Sequence, residues 1–322
     1  MTAETILRAA VVIVPAVLGA FLLDAMCAAR GLLPPGFRIP WRRALADLTV
    51  ALLLAIAVFS PLGSLGMKSK AEDLSSISTP QLFLLHVLMV ITMVVWFLLG
   101  FAGEGGRPAP APVPGPAPFE EAAADPLEPV ALEPVALEPA PPPPPRVPLG
   151  RQFMAQFGYL APSIPREVGL GVTLGIGAWV AVLLALMVIA GAVWALGGQN
   201  AIPKSPPALI PLIAALPVWV RFLVSLSAGV VEESFFRGFL QPRVGILAST
   251  GFFVLAHLSY GQPFMLVGIA LLSLIYAFLV RWRQNVWPAM AAHALFDGVQ
   301  LLVVVPAALR MLGAEKGTGF LW

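Results

Sequence analysis

Long apolar runs constrain this chain more than any motif does. Stretches near 6–28, 44–66, 82–102, 167–195, 218–240, 243–260, 263–281 and 286–308 are predominantly apolar, each close to the ~20 residues a helix needs to cross a bilayer. In hydrocarbon every backbone N–H and C=O must find its partner inside the protein, so runs of this kind read as helices. The expected fold class is all-α, a polytopic transmembrane helix bundle of about eight spans. Composition agrees: 59% of residues are apolar and 11% charged, against about a quarter charged in soluble proteins. The lipid bilayer is therefore the first expected partner. Nucleic acid is not expected, because the net charge is only +2 and no basic cluster lies outside the span flanks. A single cysteine, Cys27, excludes an internal disulfide and a cysteine-based zinc site.

The first run follows Arg8 and resembles a secretory signal, but it is long, and Leu23-Asp24-Ala25-Met26 before Cys27 makes a poor lipoprotein cleavage site. A retained anchor is the expected outcome. Residues 103–150 hold sixteen prolines, among them the run Pro141 to Pro145. Proline fixes φ and removes a backbone donor, so neither helix nor sheet propagates there, and a disordered, semi-rigid spacer is expected. The resulting division is a three-span N-terminal membrane region (1–102), the proline-rich linker (103–150) and a five-span C-terminal block (151–322). With the N-terminus outside, the inner loops collect Arg30, Arg38, Arg42, Arg43, Arg107, Arg146, Arg151, Arg166, Arg237, Arg243, Arg281 and Arg283. That fits the positive-inside rule, with Lys68, Lys70 and Lys204 against it. The expected location is a bacterial cell membrane, crossed several times.

Acidic residues within apolar runs are costly and mark candidate sites. Asp24 and Asp47 sit near segment ends, where they can pair with Arg30 or Arg43, and read as structural. The fifth run carries Glu232 and Glu233 side by side, with Arg237 four residues after Glu233 on the same helix face, where the two can pair. Glu232 is then the unpaired acid and the candidate general base. The sixth run offers Phe253 and His257, and the eighth offers His293 and Asp297, again four apart. At ~1.5 Å rise per residue, Glu232, His257, His293 and Asp297 come to similar depths, roughly 10–18 Å in from the ends of their spans. A Glu and two His can activate a water for attack on an amide, while the other polar groups steady the oxyanion. The same trio, Glu232, His257 and His293, can also hold a catalytic zinc with an open position. Spacing leaves both readings open, since no HExxH is present. His86 in the third run has no motif partner and reads as structural. Trp96, Trp194, Trp282 and Trp287 fall at span ends and read as interfacial anchors. Phe235 and Phe236 read as packing.

The ordered set Glu232-Glu233-x-x-x-Arg237, Phe253-x-x-x-His257 and His293-x-x-x-Asp297 resembles the motifs of the CPBP family of intramembrane proteases. That family contains type II CAAX prenyl proteases and Abi-like bacteriocin-processing proteins. The resemblance spans roughly 205–305, with Trp287-Pro288 also typical. It implies that Glu232 activates water with His257 as its partner, and that His293 and Asp297 polarise the scissile carbonyl. Glu233 and Arg237 would support the helix geometry. It also leaves two chemistries, metalloprotease and metal-independent glutamate protease. Two departures stand out: Asp297 occupies a position that resembles Asn in prenyl-processing members, and Leu272 stands where a glycine is expected. An ionised Asp cannot donate to an oxyanion, so that role needs protonation, a metal, or His293 alone. The expected function is hydrolysis of a peptide bond in a membrane-associated peptide or protein. A non-catalytic scaffold or immunity protein on the same fold is the main alternative. A proton-coupled transporter is the other, against which no inverted repeat relates the two blocks.

Overall fold

The computed structural model describes residues 2–63, 79–103, 147–198, 200, 202, 209–260 and 262–311. Nearly all of the proline-rich linker therefore lies outside the described residues, as do Lys68, Lys70 and Lys204. Every regular element among the described residues is helical.

Besides a 3-10 turn at Pro35–Arg38, ten helical segments follow one another among the described residues: α1 (Ala3–Ala29), α2 (Pro40–Leu62), α3 (Thr79–Phe101), α4 (Leu149–Gln156), α5 (Ile164–Ala195), the short α6 (Leu209–Ala214), α7 (218–244), α8 (Ile246–Tyr260), α9 (Pro263–Arg283) and α10 (Trp287–Met311). Six of them, α1, α2, α3, α5, α9 and α10, are long and apolar enough to cross a membrane, and α8 is a shorter apolar helix. The remaining long helix, α7, carries Arg221, Glu232, Glu233, Arg237 and Arg243 within its length. This is the multi-pass integral membrane architecture expected from the apolar runs. Side chains such as Leu184, Val188 and Ile176 on α5 face outward, as a hydrocarbon surround requires.

Local chemistry sets the boundaries. Thr2 caps α1 through its hydroxyl, which accepts from the Thr5 N–H at 3.2 Å. Proline occupies the first helical turn of α2, α5, α9 and α10, where its missing N–H costs nothing. Between α7 and α8 the chain turns at Gly245 with φ +86°, a conformation that a side chain disfavours.

Within hydrocarbon, helices gain little from the hydrophobic effect and associate instead where small residues let backbones approach. Gly171 and Gly175 form such a ridge on α5. A Cβ at Gly171 would stand 2.3 Å from the Pro288 carbonyl oxygen, and one at Gly175 would stand 2.9 Å from Ala292 Cα. From the other side, a Cβ on Gly229 of α7 would meet the Ala294 nitrogen at 2.6 Å. Helix α10 is thereby clamped between α5 and α7, with His293 within the clamped stretch. A partly buried ion pair ties α5 to the end of α9: Arg283 Nε and Nη2 reach Glu167 Oε2 and Oε1 at 2.9 and 2.5 Å.

The first three spans pack on the C-terminal block through a bank of aromatic rings. Trp96 meets Phe239 at 5.2 Å between centroids, and Phe97 meets Phe153 at 5.2 Å. The buried Arg243 guanidinium lies 4.4 Å from the Trp96 ring centre. Trp96 is thus a core residue, 4% exposed, and not the interfacial anchor its position suggested. Trp287 likewise points inward, donating from Nε1 to the Tyr159 carbonyl at 2.8 Å, whereas Trp194 and Trp282 are exposed at span ends. Asp24 pairs with Arg43, as its position near a segment end suggested. Phe235 and Phe236 are fully buried packing residues.

Candidate active site

The polar residues of α7 are carried on wide, π-type turns over Ala228–Glu232 and Ser234–Leu240. Such turns are concentrated at functional sites, because an extra residue per turn re-aims the side chains. Here the adjacent carboxylates take different partners.

Glu233 belongs to a fully buried support. Its Oε2 lies 3.1 Å from Arg237 Nε, one turn on, as the four-residue spacing implies. The angle falls short of a hydrogen bond, but opposite charges this close in a dry environment attract regardless of angle. Arg237 is pinned in turn by the Ser273 hydroxyl at 3.1 Å and by the Phe253 ring at 4.5 Å. The other carboxylate oxygen, Oε1, sits 2.8 Å from His293 Nδ1. A carboxylate only accepts, so Nδ1 carries the proton and Nε2 is directed elsewhere. The His293 ring stacks on Tyr276 at 5.3 Å, and its Nε2 lies 3.6 Å from Asp297 Oδ2, too far for a direct hydrogen bond.

His257 caps the α-helical part of α8, just before its final 3-10 turn. Its Nδ1 lies 2.7 Å from the Phe253 carbonyl oxygen, which makes Nδ1 the donor and leaves Nε2 as the reactive nitrogen. Glu232 interacts electrostatically with His257 and His293 as well as with His86. Asp297 interacts in the same way with Tyr260 and Tyr276. The third tyrosine, Tyr159, donates to Ser234 Oγ at 2.6 Å from the loop before α5. Burial raises its phenol pKa, which keeps it a donor.

Two expectations change. Glu232 is not an unpaired acid, because His86 Nε2 of α3 lies 3.3 Å from its Oε1. His86 is therefore not without a polar partner. The contact joins residues 146 apart in sequence, and no spacing pattern advertises it. The only sequence signal was that a histidine stands in an apolar span at all. Tyr260 and Tyr276 were also missed, since a tyrosine in a span reads as packing.

The zinc alternative calls on Glu232, His257 and His293. Among the described residues, no three His, Cys, Asp or Glu side chains form a group able to hold a metal ion. What the arrangement can supply is a carboxylate with one partnered oxygen and one, Oε2, without a hydrogen-bond partner among the described residues. Beside it stand imidazoles with defined tautomers.

Comparison with known proteins falls on the same helices. Residues 214–299, from the end of α6 through α10, match the sequence model of the type II CAAX prenyl endopeptidase Rce1-like family. This agrees with the CPBP resemblance carried by the three motifs and supports a CAAX-protease-like intramembrane endopeptidase at the level of the family. The uncharacterized protein YpbD of Bacillus subtilis (strain 168) is 30% identical over 81 residues, covering 25% of this chain and 42% of that protein. The chain thus spans well under half the length of this curated relative. No solved structure matches the chain.

Proposed function

We propose that this protein is an intramembrane endopeptidase that hydrolyses a peptide bond of a membrane-associated substrate with a water activated by Glu232. The observation that carries the reading is that the family match holds Glu232, whose Oε2 has no hydrogen-bond partner among the described residues, together with His257 and His293, each with Nδ1 committed to an acceptor. A scaffold requires no such groups; a proton-coupled transporter can use them, but no inverted repeat relates the two blocks.

In the proposed reaction a water lies between Glu232 Oε2 and the scissile carbonyl. Glu232 takes one proton as the water oxygen attacks the carbonyl carbon. His257 Nε2 accepts from the same water and orients it, since its Nδ1 is committed to the Phe253 carbonyl. The tetrahedral oxyanion then needs donors. His293 as an imidazolium presents Nε2–H, with Glu233 as the counter-charge at Nδ1 and Asp297, 3.6 Å from Nε2, as a second donor when its carboxyl is protonated. Collapse of the intermediate breaks the C–N bond, and the proton held by Glu232 passes to the leaving amine. Atoms balance: one water is consumed, and one carboxyl and one amine are produced. Glu233 and Arg237 act at one remove, by holding His293. Zinc dependence is the other chemistry the sequence left to Glu232, His257 and His293, and loss of the new peptide termini on adding EDTA to wild-type membranes would show it.

The test is mass spectrometry of membranes from cells expressing the full chain, compared with cells expressing Glu232→Ala. The proposal expects new peptide termini in membrane-associated proteins that appear with wild type and not with the variant. Identical sets of termini from the two would overturn it. The mapped cleavage site also defines the substrate class, including whether a prenylated C-terminus is required.

A further inference from the structure

We propose that His86 is a positioning residue for Glu232, and that the first three spans thereby form part of the catalytic unit. The proposal rests on the reading of Glu232 as the base. His86 lies outside the residues that match the family, 214–299, in a strongly apolar span of mean hydropathy 2.7. A polar side chain in such a helix is costly unless it has a partner. Its partner is Glu232: Nε2 to Oε1 is 3.3 Å, with the two side chains 12% and 14% exposed.

The chemistry of the contact is one-sided. The carboxylate accepts, so His86 donates from Nε2, and Oε1 is occupied. Oε2 has no hydrogen-bond partner among the described residues and is the oxygen left to take a proton from water. A carboxylate rotates freely about its last torsion. A donor fixed on one oxygen sets the plane of the group and hence the direction of the other. The donor is itself fixed, because the same helix is anchored by Trp96 against Phe239 and by Phe97 against Phe153. The Arg42 guanidinium also holds the end of that helix through the Ala102 carbonyl at 2.9 Å. A histidine that merely filled space here would be replaced without loss by leucine. A histidine that aims the base would be replaced better by glutamine, whose amide nitrogen lies where Nε2 does.

The experiment uses the full chain in lipid vesicles and a quenched fluorescent peptide built on the cleavage site mapped by mass spectrometry. His86→Leu should lower kcat about 10–100-fold, the range for losing a hydrogen bond to a charged group, with KM within about twofold of wild type. His86→Gln should recover most of that loss, and adding His86→Leu to Glu232→Gln should cost nothing more. Wild-type kcat in His86→Leu, or equal loss in the Leu and Gln variants, would overturn the proposal. Should His86→Leu yield no monodisperse protein, His86→Asn replaces it, since its shorter side chain does not reach Oε1. A faster Gln than Asn then supports the role, and equal rates overturn it. Full activity in Glu232→Gln would instead overturn the reading beneath the proposal, whereas an inactive Glu232→Gln beside a fully active His86→Leu overturns the proposal alone.

Discussion

Replacing Arg237 by methionine tests whether the support beneath the candidate site is electrostatic. The two side chains of the Glu233–Arg237 pair are 0% and 1% exposed. Methionine fills much of the volume and keeps contact with Phe253, so little cavity is made. What remains is a buried carboxylate whose nearest counter-charge is His293 at 2.8 Å. Leaving one member of a buried pair uncompensated costs about 3–5 kcal/mol. At roughly 2–4 °C per kcal/mol, the scale of the larger domains, Tm should fall by about 6–20 °C. Removing both charges is different. In Glu233→Gln/Arg237→Met the amide oxygen still accepts from His293 Nδ1, and no buried charge is stranded. The double variant should therefore recover most of the lost stability while losing activity, because His293 loses a counter-charge. Differential scanning fluorimetry of the four proteins in one detergent completes the cycle. Additivity within about 0.5 kcal/mol would refute the reasoning, because coupled neighbours do not add.

The helix clamp predicts that Gly175→Ile abolishes folded protein on size-exclusion chromatography, since even its Cβ would stand 2.9 Å from Ala292 Cα. Gly177→Ala, with nothing within 4 Å of its Cβ, should behave as wild type in the same run. For Asp297, a donor role in oxyanion stabilisation predicts that Asp297→Ala loses about 10–100-fold in kcat, the scale of one such donor or somewhat below. Asp297→Asn, which keeps an amide donor, should stay within about threefold of wild type. A large loss in Asp297→Asn at every pH tested would show that a carboxylate is required, and restoration by added metal would then assign it to a metal site.

Much of the fold was legible because a bilayer leaves few choices. Apolar runs became helices within a few residues of the expected ends, and prolines at Pro40, Pro263 and Pro288 mark several of the starts. The Glu233–Arg237 pair was legible because both residues share one helix face. Contacts between helices were not. The Glu233–His293 bond joins residues 60 apart, and the His86–Glu232 contact crosses 146. Neither has a local period to reveal it. Trp96 was misjudged for a related reason: an aromatic residue near a span end looks the same in sequence whether it faces headgroups or, as here, the Phe239 ring and Arg243.

The central claim is that Glu232 activates the water that cleaves the peptide. Glu232→Gln preserves size and the contact with His86 while removing the base, so folding and substrate binding should persist. Single-turnover cleavage of the mapped peptide by wild type and Glu232→Gln in lipid vesicles measures the chemical step directly. A loss of about 10²–10⁴-fold, the usual contribution of general-base catalysis, with unchanged peptide binding is the predicted result. Cleavage by Glu232→Gln at the wild-type rate would contradict the account.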